Sequence, residues 1–176
     1  MKLLIIIDML NGFCRKGNPL SLPNSTKPIE KTIENRIKSF LDKKDEIIFI
    51  CDSHNISDPE INNPYPAHCL TGSNEAEIID NLKSYSNKKN TIYKNTLSIT
   101  FNTELIERIE KIKPTEIEIT GVCTEICVLF GVYELKIRGY NVVINENGVQ
   151  PLKPENQTKF MNYMEELLGA KVKKMK

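Results

Sequence analysis

The chain of 176 residues lacks long apolar runs and lacks an excess of charge of either sign. No segment approaches the ~20 consecutive apolar residues that a transmembrane helix requires. Its 24 basic and 23 acidic side chains give a net charge of +1 and are spread along the sequence, so no basic surface for nucleic acid is expected. The apolar start of the chain ends at Asp8 without a small-residue cleavage site, which favours a buried strand over a signal peptide. We therefore expect neither a membrane partner nor a nucleic-acid partner.

The sequence also lacks the cysteine spacing of disulfide-rich proteins. Its five cysteines form an odd set, at Cys14, Cys51, Cys69, Cys123 and Cys127. Free thiols are usual in the reducing cytoplasm, where we expect the protein to be located. No repeat, low-complexity tract or change in composition divides the chain. Residues 1–176 are therefore expected to form one domain, which at this size buries roughly 70% of the surface of the unfolded chain.

Strand-like apolar runs alternate with helical periodicity along the whole chain. The predicted strands are Leu3–Ile7, Glu46–Cys51, Thr91–Tyr93, Glu116–Thr120, Asn141–Asn145 and Lys171–Lys174. The predicted helices lie at about Ile29–Leu41, Glu75–Tyr85, Thr103–Ile112, Thr124–Arg138 and Glu155–Leu168. This alternation indicates an α/β fold with a mostly parallel sheet.

Reactive residues at the ends of the predicted strands are the candidates for a functional site. Asp8, Asp52 and Lys94 each follow a strand directly, and Cys127 follows the turn after the fourth strand. Because parallel strands end at a common edge of the sheet, we expect these four side chains to converge. An acid pair, a lysine and a cysteine that meet at one edge are typical of an active site.

The turn from Gly121 to Cys127 leads into a helical pattern, which places Cys127 near the start of a helix. Unpaired N–H groups and the helix dipole there can lower the pKa of a thiol below its free value of roughly 8.5, so we expect a nucleophile. Cys123 lies four residues earlier, a spacing that a redox pair or two metal ligands could also use. No other cysteine completes such a site, and we interpret Cys123 as the small residue of the turn.

The long loop at about residues 52–73 contains a candidate metal site. Asp52 and His54 are two residues apart in an extended segment, so their side chains point the same way. His68, the second of the two histidines in the chain, lies in the same loop. Glu60 can add an oxygen ligand. Mixed nitrogen and oxygen ligands fit Zn, Mn or Fe(II) better than a closed structural zinc site.

Four segments resemble, in order and spacing, the nicotinamidases of the isochorismatase-like cysteine hydrolases. They are Ile7–Phe13, Cys51–His54 with Tyr65–Ser73, Tyr93–Lys94 with Leu97–Ser98, and Gly121–Val128. The resemblance covers nearly the whole chain. It implies a three-layer α/β/α fold with a doubly wound, six-stranded sheet in the order 3-2-1-4-5-6, and a homo-oligomer.

The resemblance implies a catalytic triad of Asp8, Lys94 and Cys127. Cys127 is the nucleophile, Asp8 moves the proton, and Lys94 stabilises the thiolate and orients Asp8. The oxyanion is held by the backbone N–H groups of Cys123 and Cys127, with a cis peptide between Val122 and Cys123. A base and a cation beside a thiol agree with what nucleophilic catalysis requires.

The resemblance also implies one divalent ion, most simply zinc, which binds the pyridine nitrogen of the substrate. Its ligands are Asp52, His54 and His68, with Glu60 after Pro59 as a fourth. Phe13 and Tyr65 match positions where relatives place aromatic residues around the ring, although Tyr65 replaces the usual Trp and Leu10 replaces a common Gln.

The activity that follows is hydrolysis of nicotinamide, a small-molecule substrate, to nicotinate and ammonia in NAD salvage. One alternative is a cysteine hydrolase of another small amide or a carbamoyl compound, although many such relatives lack the histidine pair. A second alternative is a non-catalytic ligand-binding or scaffold protein of the same fold. Nucleotide binding of the flavodoxin type is disfavoured, because the turn after the first strand has one glycine, Gly12, and no phosphate-binding glycine loop.

Overall fold

A parallel six-stranded sheet forms the centre of the computed structural model, which describes residues 1–173. Its strands are β1 (Leu3–Ile7), β2 (Glu46–Asp52), β3 (Thr91–Lys94), β4 (Ile117–Val122), β5 (Val142–Gln150) and β6 (Lys171–Lys173). They lie in the order β3-β2-β1-β4-β5-β6, and all neighbouring pairs are parallel. This confirms the predicted sheet. Lys174, the predicted end of β6, lies outside the described residues.

Helices connect the strands and cover the sheet. They are α1 (Asn11–Cys14), α2 (Lys27–Asp42), α3 (Asp80–Lys83), α4 (Leu105–Ile112), α5 (Leu129–Lys136) and α6 (Asn156–Glu166), with a 3₁₀ turn at Asn74–Ala76 and a π-helical turn at Thr124–Val128. No helix within residues 1–173 is both long and apolar enough to cross a membrane.

The predicted helix Glu75–Tyr85 is wrong, because it is split into the 3₁₀ turn and α3. The residues between them pair instead with the chain that leaves β1. Ile79 N donates to Met9 O at 3.1 Å, and Ile78 forms an antiparallel bridge with Leu10. These tertiary hydrogen bonds replace the bonds that a continuous helix would have made.

Two apolar layers lie on opposite faces of the sheet. Alternate residues of β1 point to opposite sides, so Leu3 and Ile5 belong to one layer and Leu4 and Ile6 to the other. The first layer contains apolar residues of α4, α5 and α6, and the second contains those of α2 and α3. Every residue of β1 is fully buried. The sheet is therefore a rigid base for the residues that follow its strands.

Gly121 permits the close approach of β4 to β1. It pairs with Ile7 and has φ +117°, a conformation that side chains rarely adopt. A Cβ atom at this position would lie 2.0 Å from Ile7 O. The turn that carries Cys127 is thereby packed directly against the end of β1.

We expect Gly121→Ala to destabilise the fold severely. Positive φ and overlap with backbone atoms together cost about 3 kcal/mol or more, which lowers Tm by at least about 6 °C for a chain of this size. Gly139→Ala is the matched control, because Gly139 has φ +83° but no described heavy atom within 4 Å of the added Cβ. Calorimetry that gives the two variants equal Tm values would contradict the close approach.

Candidate active site

The carboxyl ends of the central strands bring four reactive side chains together. Asp8 follows β1, Asp52 ends β2, Lys94 ends β3, and Cys127 lies in the π-helical turn after β4. All four residues are at most 6% exposed. The convergence expected from the strand ends is therefore present in the structure.

The Lys94 ammonium lies at the centre of this cluster. Its Nζ is 3.0 Å from Asp8 Oδ2, donates a short hydrogen bond to Asp52 Oδ1, and donates to Thr96 O at 3.2 Å. It also lies 3.7 Å from Cys127 Sγ. Although burial opposes the charge, Asp52 and Asp8 raise the pKa of Lys94 well above its usual value. The lysine is therefore a permanent cation beside the thiol.

Asp8 has one carboxylate oxygen that is held and one that can take a proton. Oδ1 accepts a hydrogen bond from Asp52 N at 3.0 Å. Oδ2 is buried and, among the described residues, makes no hydrogen bond of good geometry, although Lys94 Nζ lies 3.0 Å away. Burial and the Asp52 carboxylate raise the pKa of Asp8 to about 6, against the opposing effect of Lys94. A carboxylate with a pKa near neutrality is suited to act as a general base.

The pKa of the Cys127 thiol differs from the prediction. Burial raises its pKa well above the usual value, against the attraction of Lys94, and the Asp8 and Asp52 carboxylates act in the same direction as burial. The expectation of a lowered pKa is therefore wrong, because burial and the two carboxylates outweigh the attraction of Lys94. A neutral thiol needs a base to become a nucleophile, and Asp8 is placed to be that base.

Two backbone hydrogen bonds of the π-helical turn share one acceptor, the carbonyl group of Cys123. Ile126 N and Val128 N, which flank Cys127, both donate to Cys123 O, at 3.0 and 3.2 Å. The peptide between Val122 and Cys123 is cis, as the resemblance implied. All five cysteines of the chain are free thiols.

Asp52, His54 and His68 form a buried cluster with the composition of a metal site. Asp52 Oδ2 lies 3.6 Å from His54 Nε2 and 3.8 Å from His68 Nε2. These distances are too long for hydrogen bonds, but ligands of a tetrahedral zinc are separated by roughly 3.3–3.6 Å. Both ring nitrogens of the buried His54 lack a hydrogen-bond partner within residues 1–173. An orphaned buried imidazole of this kind fits a metal ligand.

Asp52 belongs both to the cluster around Lys94 and to the metal cluster with His54 and His68. Oδ1 accepts from Lys94, while Oδ2 faces the two histidines. Burial acts to raise the pKa of Asp52, but Lys94 and the two histidines together outweigh it and hold the pKa far below its usual range. Asp52 is therefore ionised, as a metal ligand must be. Its two oxygens link the lysine to the metal cluster.

Two further groups lie beside the outer nitrogens of the histidine rings. His68 Nδ1 lies 2.8 Å from Pro66 O, which assigns the proton to Nδ1 and leaves Nε2 free to bind an ion. His54 Nδ1 lies 3.6 Å from Asp58 Oδ2. Asp58 was not identified from the sequence. The one signal for it in the sequence was its position four residues after His54. A carboxylate behind a histidine is a common support of metal ligands.

Glu60 lies apart from this cluster. Within residues 1–173, the ligand atoms that come within 4.8 Å of one another belong to Asp52, His54 and His68. Glu60 Oε1 instead accepts a hydrogen bond from Leu97 N at 2.7 Å. Its assignment as a fourth ligand stays a prediction.

A narrow cleft opens onto the thiol and the metal cluster. It contains about 460 Å³ of empty space, which includes open solvent at its mouth. Its apolar walls are formed by Phe13, Leu20, Tyr65, Leu97, Ile126 and Leu152. The rings of Phe13 and Tyr65 stand edge-on to His68, with centroids 5.9 and 6.1 Å away. The two predicted substrate-binding aromatics therefore lie beside the metal cluster.

The chain is similar in sequence and in fold to known proteins. The isochorismatase domain model matches residues 2–175. Nicotinamidase 1 of Arabidopsis thaliana is 29% identical over 154 residues, which are 80% of this chain and 62% of that protein. A nicotinamidase of Bacillus subtilis has a crystal structure that superimposes with a TM-score of 0.89 at 28% identity, over 98% of this chain and 99% of that chain. A pyrazinamidase of Pyrococcus horikoshii, in complex with zinc, shares the fold with a TM-score of 0.86 at 24% identity, over 99% of each chain.

Proposed function

Because this chain belongs to the isochorismatase domain family, we propose that it is a nicotinamidase, which hydrolyses nicotinamide to nicotinate and ammonia. The observation that carries the proposal is a single cleft that is lined by Cys127 and by two residues of the metal cluster, Asp52 and His68. The thiol can attack an amide carbonyl, and the cluster can recognise a ring nitrogen. The names of similar nicotinamidases support the same substrate.

The first half of the reaction forms a thioester. Asp8 Oδ2 accepts the proton of the Cys127 thiol while the sulfur attacks the amide carbon. The backbone N–H groups of Cys123 and Cys127 hold the oxyanion that results. Asp8 then gives the proton to the amide nitrogen, the C–N bond breaks, and ammonia leaves a nicotinoyl group on Cys127.

The second half of the reaction restores the thiol. Asp8, again a carboxylate, takes a proton from a water molecule as the water oxygen attacks the thioester carbon. The C–S bond then breaks, the proton returns to the sulfur, and the product leaves as nicotinic acid, which gives its carboxyl proton to water and becomes nicotinate. Lys94 keeps its proton throughout and stabilises the negative sulfur. Splitting one amide hydrolysis into two steps lowers the barrier that each step must cross.

The metal ion of this proposal is zinc, with manganese or iron as alternatives, held by Asp52, His54 and His68. When bound, it supplies a Lewis acid for the pyridine nitrogen of the substrate. Phe13 and Tyr65 both stand edge-on to His68, and in this proposal they contact the flat ring of the substrate. We further propose a homo-oligomer in the cytoplasm with a role in NAD salvage, and the free cysteines support that location.

Substrate comparison tests the proposed activity. Purified protein should release ammonia from nicotinamide with kcat/KM at least ~10²-fold above that for benzamide, because benzamide lacks the ring nitrogen whose partner would be left unpaired. A carbamoylated amino acid is the third substrate. Faster release of ammonia from that compound than from nicotinamide would favour the carbamoyl hydrolase and contradict the proposal.

We expect His54→Ala and His68→Ala to abolish stable metal binding. Each change removes one of three ligands, so zinc affinity should fall by ~10²-fold or more, measured by titration calorimetry and by elemental analysis after dialysis. Ile56→Ala, at a residue in the same loop that is 63% exposed, is the control and should bind zinc normally. Full zinc content in both histidine variants would contradict the ligand assignment.

A further inference from the structure

The segment after Lys94 is held almost entirely by side chains. Five consecutive backbone N–H groups donate to side-chain oxygens, namely Leu97 to Glu60, Ser98 to Thr96, Ile99 to Glu134, and Thr100 and Phe101 to Ser98. Backbone N–H groups in proteins usually donate to backbone carbonyl groups instead. The shape of the segment from residue 96 to residue 101 therefore depends on a few specific side chains.

Glu134, on α5, makes two contacts to this segment. Its Oε2 accepts from Ile99 N at 3.1 Å, and its Oε1 accepts a short hydrogen bond from the Ser98 hydroxyl. Because the single hydroxyl proton points to Glu134, both lone pairs of Ser98 Oγ are free for other donors. Thr100 N and Phe101 N use them, at 3.2 and 2.8 Å. One carboxylate thus controls three of the five N–H groups.

The segment contributes directly to the site. Thr96 O accepts a hydrogen bond from Lys94 Nζ at 3.2 Å and joins Asp8 and Asp52 around the ammonium group. Leu97, the next residue, forms part of the cleft wall. A shift of residues 96 and 97 would therefore move the third oxygen around Lys94 and change the shape of the cleft.

Helix α5 connects this segment to the nucleophile. The helix follows the π-helical turn that carries Cys127, and it also carries Glu134. The buried Ile99 packs against the same helix at Gly131, so closely that a Cβ atom added to Gly131 would lie 2.9 Å from Ile99 Cδ1. The distance between Lys94 Nζ and Cys127 Sγ, 3.7 Å, is thus supported by one helix that contacts both sides.

We propose that Glu134 is a positioning residue that holds Lys94 against Cys127 through the segment 96–101. The carboxylate needs both of its oxygens as acceptors. A glutamine of the same shape offers an oxygen acceptor on one side and an NH₂ donor on the other. If the NH₂ faces Ile99, Ile99 N loses its acceptor. If it faces Ser98, the hydroxyl proton loses its acceptor and the NH₂ competes with Thr100 N and Phe101 N for the lone pairs of Ser98 Oγ. The proposal rests on the proposed nicotinamidase function for its effect on turnover, but its effect on the thiol does not depend on the substrate.

The test compares Glu134→Gln and Glu134→Ala with wild type. For nicotinamide we expect kcat to fall by ~10-fold to ~10²-fold, since a misplacement of about 1 Å costs up to this much, while KM changes by less than about threefold. Alkylation of Cys127 by iodoacetamide, followed by mass spectrometry, should slow by at least about threefold in both variants. Glu107→Ala, at an exposed carboxylate on α4, is the matched control and should equal wild type in both measurements.

The outcomes separate the two proposals. If Glu134 only filled space, Glu134→Gln would behave as wild type. Wild-type rates of alkylation and turnover in that variant would therefore overturn the positioning role. An equal loss in Glu107→Ala would also overturn it. If the wild-type protein does not hydrolyse nicotinamide, the nicotinamidase proposal fails, whereas slower alkylation of Cys127 in both Glu134 variants would still support the positioning role.

Discussion

Cys127→Ala is expected to reduce nicotinamide hydrolysis by at least ~10³-fold, because Cys127 is the thiol that lies 3.7 Å from Lys94 Nζ. Cys123 also lines the cleft, but in the proposal it contributes its backbone N–H rather than its thiol. The change removes one sulfur atom from a buried position and leaves the contact between Lys94 and Asp8 in place. The fold should therefore survive, with a Tm within a few degrees of wild type. Ammonia release and calorimetry on the same preparation provide the two measurements.

Cys14→Ala is the matched control for the nucleophile. Cys14 lies in α1 and does not line the cleft, so turnover should stay within about twofold of wild type. Wild-type turnover by Cys127→Ala would contradict the covalent mechanism. A loss of activity in Cys14→Ala as large as that in Cys127→Ala would show that thiols in general, rather than this one, support activity.

Asp8→Asn is expected to reduce turnover by ~10²-fold to ~10⁴-fold, the usual contribution of a general base. The buried thiol of Cys127 has a raised pKa and does not ionise by itself. Asparagine keeps the shape of the side chain, and its amide cannot accept the thiol proton as a carboxylate does. Lys94 keeps its contact with Asp52 in this variant, so the cation remains.

Steady-state kinetics with nicotinamide measures this loss, and circular dichroism verifies the fold. Asp80→Asn, at an exposed residue of α3, is the control and should have unchanged turnover. Activity of Asp8→Asn within about threefold of wild type would mean that another group accepts the proton. The assignment of Asp8 as base would then be wrong, even if Cys127 remained the nucleophile.

The central strands β1 and β2 were predictable from the sequence, because parallel strands that are buried on both faces form continuous apolar runs. β1 begins and ends at the predicted residues, Leu3 and Ile7. β5 continues past its predicted end to Gln150, with a change in register against β4 between Ile119 and Gly121. Such irregular pairing depends on the neighbouring strand and is not encoded in a local pattern.

The helical pattern at residues 75–85 was misleading for a related reason. Ile78, Ile79 and Leu82 have helical spacing, but the first two lie in an extended stretch that pairs with residues 9–11. Periodicity predicts which side chains are buried more reliably than it predicts what backbone buries them. The predicted helix at 124–138 likewise contains a π-helical turn before α5, a feature that often marks functional sites.

The positions of the strand ends were enough to predict that Asp8, Asp52, Lys94 and Cys127 lie close together. They were not enough to predict the pKa values of these side chains. Burial and two nearby carboxylates decide the pKa of Cys127, and neither can be read from the position of a cysteine before a helix. Glu134 was overlooked because a glutamate in a helical pattern is usually a solvated residue. Its role depends on Ser98 and Ile99, which lie 36 and 35 residues away in sequence.

The product balance of the wild-type protein with nicotinamide is the decisive measurement for the proposed activity. Nicotinate is quantified by liquid chromatography and ammonia by an enzymatic assay, on protein whose zinc content has been verified by elemental analysis. We expect catalytic formation of nicotinate and ammonia in equal amounts. Folded, zinc-loaded protein that forms neither product from nicotinamide would contradict the nicotinamidase assignment.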